Sequence, residues 1–274
     1  MDTLRYTGST GHTVEFGLSK IIRTGDGDPL RSRSWVRTLG LRSLTNVGRR
    51  SSEVSIPVVA DIGEVDRMRH IFDLDMSVNS PGTLSCGGWT QRALVTASTC
   101  DVLRPSIADL TLTVALLDGA WRKPVTQSFN PRVEDSDYGY LDLPYDLPYD
   151  LAPVEAATHV QGPEWLPSPI ELVVYGYASN PRIEIGGNVY AVDCTVPDGG
   201  YMVIDGLGHT VTVVDAYGDR TSYLHAAHLG TGEGSGEYAF ERIKPGSQPL
   251  SWSNAFGFDL TYYLEEGELP CLSS

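Results

Sequence analysis

A chain of 274 residues with a formal net charge of -15 repels phosphate backbones, which speaks against nucleic-acid affinity as its purpose. Its 41% apolar content is that of a globular protein with a buried core, and 29 glycines and 17 prolines spread along it fit many short strands joined by tight turns. No apolar run approaches the roughly 20 residues of a membrane span, no secretory leader is visible after Met1, and Cys86, Cys100, Cys194 and Cys271 form no C-x-x-C pair. The expectation is a soluble protein, folded in cytoplasm with reduced thiols.

Along the chain, Leu4 to Leu18 alternates loosely and predicts an opening strand or hairpin. A turn cluster, Gly25-Asp26-Gly27-Asp28-Pro29, follows. From Lys20 to Arg50 the charge is basic, carried by Lys20, Arg23, Arg31, Arg33, Arg37, Arg42, Arg49 and Arg50. Glu53 to Val59 puts Val54, Ile56 and Val58 on one face of a strand. Pro57, which has no N–H to donate, places an edge or a bulge there. Asp61 as N-cap and Glu64 three residues on resemble a capping box, and Ile62, Val65, Met68 and Phe72 then share one face of a helix that Asn79-Ser80-Pro81-Gly82 closes. Strands are predicted at Leu84 to Cys86, Arg92 to Ala97 and Asp109 to Leu117, the last turning Leu110, Leu112, Val114 and Leu116 inward, with Pro124 as a stop.

From Gln127 to Pro169 aspartate, tyrosine and proline dominate, and Leu143-Pro144-Tyr145-Asp146 repeats at once as Leu147-Pro148-Tyr149-Asp150. Proline at that spacing fits neither helix nor central strand, so the segment reads as an extended connector. Short strands with glycine turns then succeed one another: Ile170 to Tyr177, Arg182 to Ile185, Val189 to Cys194, Tyr201 to Ile204, His209 to Val214, Tyr223-Leu224, Tyr238 to Ile243 and Phe256 to Leu264. The chain is therefore expected to be mainly β. A β-rich domain with one α-helix spans 1–128, a connector spans 129–168, and an antiparallel β-sandwich or jelly roll spans 169–274.

Signatures of catalysis are sparse. There is no H-E-x-x-H, no G-x-S-x-G and no Gly-Lys of a phosphate loop. Gly230 to Gly236 is glycine-rich but carries Glu233 and opens no helix, so it reads as a loop. His225 and His228 fall on predicted strand and loop, where their rings point apart. Asp135, Asp137, Asp142, Asp146 and Asp150 lack the register of a calcium loop. No enzyme activity, metal or cofactor is expected. Trp165, Tyr175, Tyr177 and Trp252 are candidates for stacking on sugar rings, and equally for core or interface residues.

Three stretches resemble one family, the distal tail proteins of long-tailed phages: Gly87-Gly88-Trp89-Thr90-Gln91-Arg92-Ala93-Leu94-Val95 with the strand that ends on Trp121, Asn180-Pro181-Arg182-Ile183-Glu184-Ile185-Gly186-Gly187, and Pro245-Gly246-Ser247-Gln248-Pro249-Leu250 before the closing Phe258 to Tyr263. Their order spans almost the whole chain. The resemblance implies an N-terminal ring-forming (belt) domain with one helix and a galectin-like C-terminal sandwich. It also implies a hexameric ring in the virion, at the distal end of the tail. There the ring would join the tail tube protein to the tail-tip hub, a tail-associated protein or the baseplate, near receptor-binding or side-fibre proteins, with DNA passing through its centre and no membrane partner. A closed ring needs two different complementary patches per copy, and the basic segment Leu18 to Ala60, with Arg31, Arg33, Arg37 and Arg42, is expected to supply one. The acidic surface would let DNA slide past without gripping it. A carbohydrate-binding adhesin of the tail tip is the alternative, and a glycan hydrolase stands behind it.

Overall fold

The computed structural model describes residues 3–17, 20–24, 28–32, 35–131 and 158–270. The first part of the predicted turn (25–27), Arg33, Cys271 and the acidic connector from 132 to 157, with its aspartates and both copies of its repeat, lie outside the described residues. The chain is mainly β and divides into two units, Met1–Pro124 with Glu265–Ser274, and Val125–Leu264.

The first unit opens on the expected hairpin, β1 (Leu4–Thr7) and β2 (Thr13–Phe16), whose Leu4, Tyr6, Val14 and Phe16 are buried. After β3 (Ile21–Arg23) comes a 3-10 turn at Pro29–Arg31, with Asp28 accepting from the Leu30 N–H. Among the described residues, strands β4 (Val36–Leu39) and β5 (Leu44–Gly48) pair only with each other. Then follow β6 (Ser52–Asp61), helix α1 (Ile62–Ser77), β7 (Gly82–Cys86), β8 (Trp89–Leu103), β9 (Ile107–Leu116) and β10 (Trp121–Phe129). All the pairings are antiparallel, in the order β3-β6-β9-β8-β7-β1-β2. Leu110, Leu112, Val114 and Leu116 are buried as their alternation predicts.

Pro57 stands opposite Thr111 of β9 without a bulge, and its carbonyl accepts from the Thr24 N–H at 2.9 Å. In an antiparallel strand a residue's N–H and C=O face the same side. The missing donor is thus directed away from β9, to the flank where β3 ends. Pro124 does not stop a strand as expected: it lies within β10, past the rung Arg122↔Thr90 that joins β10 to β8.

Helix α1 buries Val65, Met68, Ile71 and Phe72, with Ile62 half-buried. The predicted capping box does not form. Asp61 makes no side-chain cap, and the Glu64 carboxylate is taken instead by Lys20 at 2.7 Å and Arg67 at 3.1 Å. Those two donors, Lys20 first, hold the Glu64 carboxyl below its ordinary range. The far end of the helix closes on a left-handed residue, Asn79, at φ 48°.

Asp75 faces inward, fully buried, from the last turns of α1. Tyr6 of β1 donates its hydroxyl to one carboxylate oxygen at 2.7 Å. The Ser9 amide and hydroxyl donate to the other at 2.9 and 2.6 Å. Burial, then the Asp75 hydrogen bond, pushes the Tyr6 phenol far above its usual range. The ring of Tyr6 meets Phe72 edge-on at 5.4 Å. Gly82 closes the cluster, because a Cβ there would lie 2.6 Å from both the Thr7 carbonyl and the Tyr6 hydroxyl.

The second unit is a two-sheet sandwich. Its strands are β11 (Thr158–Gln161), β12 (Ile170–Tyr175), β13 (Ala178–Ser179), β14 (Arg182–Ile185), β15 (Asn188–Ala191), β16 (Thr195–Val196), β17 (Tyr201–Asp205), β18 (Thr210–Val214), β19 (Arg220–Ser222), β20 (Ser247–Trp252) and β21 (Phe258–Glu266). One sheet runs β19-β18-β17-β12-β21 and the other β11-β20-β14-β15. Leu172, Met202, Ile204, Ile183, Leu250 and Phe258 belong to its shared core. Gly186 and Gly187, at φ 58° and 82°, make the two-residue loop from β14 to β15 that only such backbone angles allow.

Three expectations are corrected in this unit. Thr158–Gln161, read as connector, pairs with β20 because Val160 enters the core. Tyr223-Leu224 is not a strand: it leads into a 3-10 turn at Leu224–Ala226. Tyr238 to Ile243 is a loop anchored through Phe240 and Ile243, which are buried, and through the Tyr190 hydroxyl, which donates to the Glu241 carbonyl at 3.1 Å.

Two outcomes follow from these contacts. Asp75→Ala leaves the Tyr6 and Ser9 donors unpaired and lowers stability by about 3 kcal/mol, Tyr6→Phe by less. Urea unfolding reads both, and a midpoint for Asp75→Ala equal to wild type would show that the cluster does not hold the helix. In the second unit the Tyr175 hydroxyl donates to Asp259 at 2.7 Å, and this bond, with partial burial, pushes the phenol up to about 12. In an alkaline absorbance titration Tyr175→Phe should delete a tyrosinate transition near that pH, and Asp259→Asn should move it lower.

Candidate functional site

The basic segment is split between two uses. Arg23 and Arg31 both bind Asp28, Arg31 through Nε at 3.1 Å. Arg31 also donates to the carbonyls of Leu269 and Pro270, and the Leu269 N–H bonds the Leu30 carbonyl at 2.9 Å. Its charge therefore anchors the returning C-terminal segment inside its own unit. Arg49 lies over the Trp35 ring, 5.1 Å from its centroid. Arg37 and Arg42 are exposed on the β4–β5 hairpin, Arg42 in its turn.

That hairpin carries an apolar surface that charge reading passed over. Leu41 is fully exposed, Leu39 and Leu44 are 76% and 55% exposed, and Trp35 stands at its base. Leu39 pairs with Leu44 across the ladder, and the Gly40 N–H closes the turn on the Ser43 carbonyl at 2.8 Å. A two-stranded hairpin without a third strand is marginal in water by itself. The signal was present in the sequence: Trp35 to Leu39 and Leu44 to Val47 are two short runs about a Gly40-Leu41-Arg42-Ser43 turn.

Of the four aromatic candidates, three are exposed: Trp165 in the loop before β12, Tyr175 at the end of β12, and Tyr177 just beyond it. Trp252 differs. It is half-buried, donates its indole N–H to the Phe256 carbonyl at 3.1 Å, and meets Phe129 and Phe258 edge-on. It also lines an open cleft of about 310 Å³ with Ser179, Asn180, Arg182, Glu184, Ser251, Ser253 and Phe256.

Among the described residues no group of three or more His, Cys, Asp or Glu comes together as a metal site would require. His225 stacks on Tyr223 at 5.9 Å, while His228 Nε2 lies 3.1 Å from the Asp193 carboxylate. The two rings serve separate contacts. Cys100 and Cys194 form no disulfide among the described residues.

No family model and no curated protein matches the chain. Solved structures do. SPP1 Dit, a hub protein of the adsorption apparatus of phages that infect Gram-positive bacteria, superposes with a TM-score of 0.57 at 12% identity, over 97% of this chain and 99% of that one. A chain of the phage p2 baseplate in its activated conformation with calcium gives 0.60 at 10% identity, over 98% of this chain and 99% of that one. The strontium form of that baseplate gives 0.60 at 10%, over 98% and 100%. At such low identity the likeness is one of fold, and along nearly its whole length this chain has the fold of a phage Dit-type distal tail protein.

Proposed function

We propose that the chain is a structural, non-enzymatic component of the distal end of a long non-contractile phage tail. Copies of it form a ring, six by the family resemblance, that joins the tail tube to the tip hub or baseplate around the DNA passage. The observation that carries this reading is the end-to-end likeness to SPP1 Dit, 97% of this chain against 99% of that one. Its acidic balance, 35 Asp and Glu against 20 Lys and Arg, suits a passage wall that must not bind DNA. Virion location and partners among the tube, hub and fibre proteins belong to the same reading.

The hairpin β4–β5 supplies one of the two complementary patches that a head-to-tail ring requires. Leu39, Leu41 and Leu44 are apolar groups on a hairpin that needs further packing, and Arg37 and Arg42 flank them with charge free to meet an acidic neighbour. Burying those leucines in a second copy stabilises the hairpin and the ring together.

Electron microscopy and solution mass of the purified chain test the ring directly: a closed particle with a central hole supports it, and a lone chain at high concentration would overturn it. The triple substitution Leu39→Ser, Leu41→Ser, Leu44→Ser should release single chains, read by solution mass, and lower the thermal midpoint to that of the unassembled chain, since the ring no longer covers and stabilises the hairpin. Arg37→Glu with Arg42→Glu should weaken assembly at low salt by about tenfold and by less at high salt. Assembly unchanged by both variants would remove the hairpin from the interface.

A further inference from the structure

We infer that the cleft between β14 and the end of β20 is a binding site for a neutral saccharide, one or two pyranose rings of a surface polysaccharide. This goes beyond the assembly role and does not depend on it.

The cleft is built on strands rather than on a mobile loop. Strand β14 alternates, with Ile183 and Ile185 buried and Arg182 and Glu184 exposed on the opposite face. Its neighbour β20 sets Ser251 directly across from Glu184 and Trp252 across from Ile183. Asn180, in the left-handed region at φ 46°, ends the preceding strand and is tied back through its N–H to the Cys194 carbonyl at 2.8 Å. Trp252 is fixed by its indole bond to Phe256 and by two aromatic neighbours. The polar groups are thereby held in place before any ligand arrives, which lowers the entropy cost of binding.

The chemistry of the lining selects the ligand class. A cation and a carboxylate stand two residues apart on one strand face, and neither has a hydrogen-bond or ion-pair partner among the described residues. An anion entering the cleft would meet Glu184, and a cation would meet Arg182. A neutral polyol satisfies both, because each of its hydroxyls can accept from the guanidinium and donate to the carboxylate. The hydroxyls of Ser179, Ser251 and Ser253 and the amide of Asn180 add neutral partners in both senses, more than the two charged ends of an amino acid would use. The half-buried Trp252 adds apolar surface for the C–H face of a sugar ring, with the buried Phe256 behind it. The volume of about 310 Å³ is at the small end of ligand sites and open to solvent, which fits a short stretch of a longer chain.

Isothermal titration calorimetry on the full chain tests this with glucose, galactose, N-acetylglucosamine and short oligomers of each, and with glycine and inorganic phosphate as charged controls. Saturable binding of at least one saccharide is expected. Arg182→Ala and Glu184→Gln should each weaken it by about tenfold or more while leaving the thermal midpoint unchanged, as both side chains are exposed. Mass measured on the same samples separates this from assembly: the variants should form the same particles as wild type. The inference falls if no saccharide binds, if binding survives both substitutions, or if glycine or phosphate binds in place of the sugars.

Discussion

Strand alternation across the β6–β9–β8 ladder is the constraint on which the first unit depends. Strands β6 and β9 pair without interruption from Ser52↔Leu116 to Asp61↔Ile107, so Ile56, Val58 and Ala60 face the same side as Leu110, Leu112 and Val114. A slip of one residue would turn that whole set to water. Strand β8 obeys the same rule only to Val95. A register shift between Val95 and Ala97 and another between Cys100 and Val102 release its far half from the core, and its residues from Thr96 to Leu103 are mostly exposed. Helix α1 covers the buried face, held at one end by Lys20 on Glu64 and by Arg67 on the Thr13 carbonyl, and at the other by Tyr6 and Ser9 on Asp75.

The hairpin β4–β5 is the place where that economy is left incomplete. The other long strands of the unit have a ladder partner and a buried face, whereas this hairpin has one ladder and exposed leucines. Apolar side chains on an unsupported pair of strands contribute stability only when something covers them. Leu39, Leu41 and Leu44 lack that cover within the single chain.

Charge follows a similar division between internal and external use. Arg23 and Arg31 are spent on Asp28, and Arg31 also ties down the returning segment at Leu269 and Pro270. Arg49 is drawn onto Trp35. Of the arginines in the basic segment, Arg37, Arg42 and Arg50 are exposed among the described residues. In the second unit Arg182 and Glu184 share an exposed strand face.

The sequence by itself determined the β character, the one helix, the inward sets on β9 and α1, and the glycine turns, because each depends on a local period or on a backbone angle that few residues can adopt. It also located the cluster of arginines, but not which were free. That was decided by contacts between residues far apart in sequence, such as Arg31 with Leu269 and Asp75 with Tyr6. The capping box failed for the same reason: Lys20, more than forty positions away, offered Glu64 a better partner than its own backbone. Pro57 and Pro124 could be read only as breaks in pairing, since which flank of a strand lacks a partner depends on how the sheet closes around it. Only the tertiary structure could assemble the cleft of Arg182, Glu184 and Trp252, because cross-strand register, and not chain order, sets Ser251 of one strand opposite Glu184 of another.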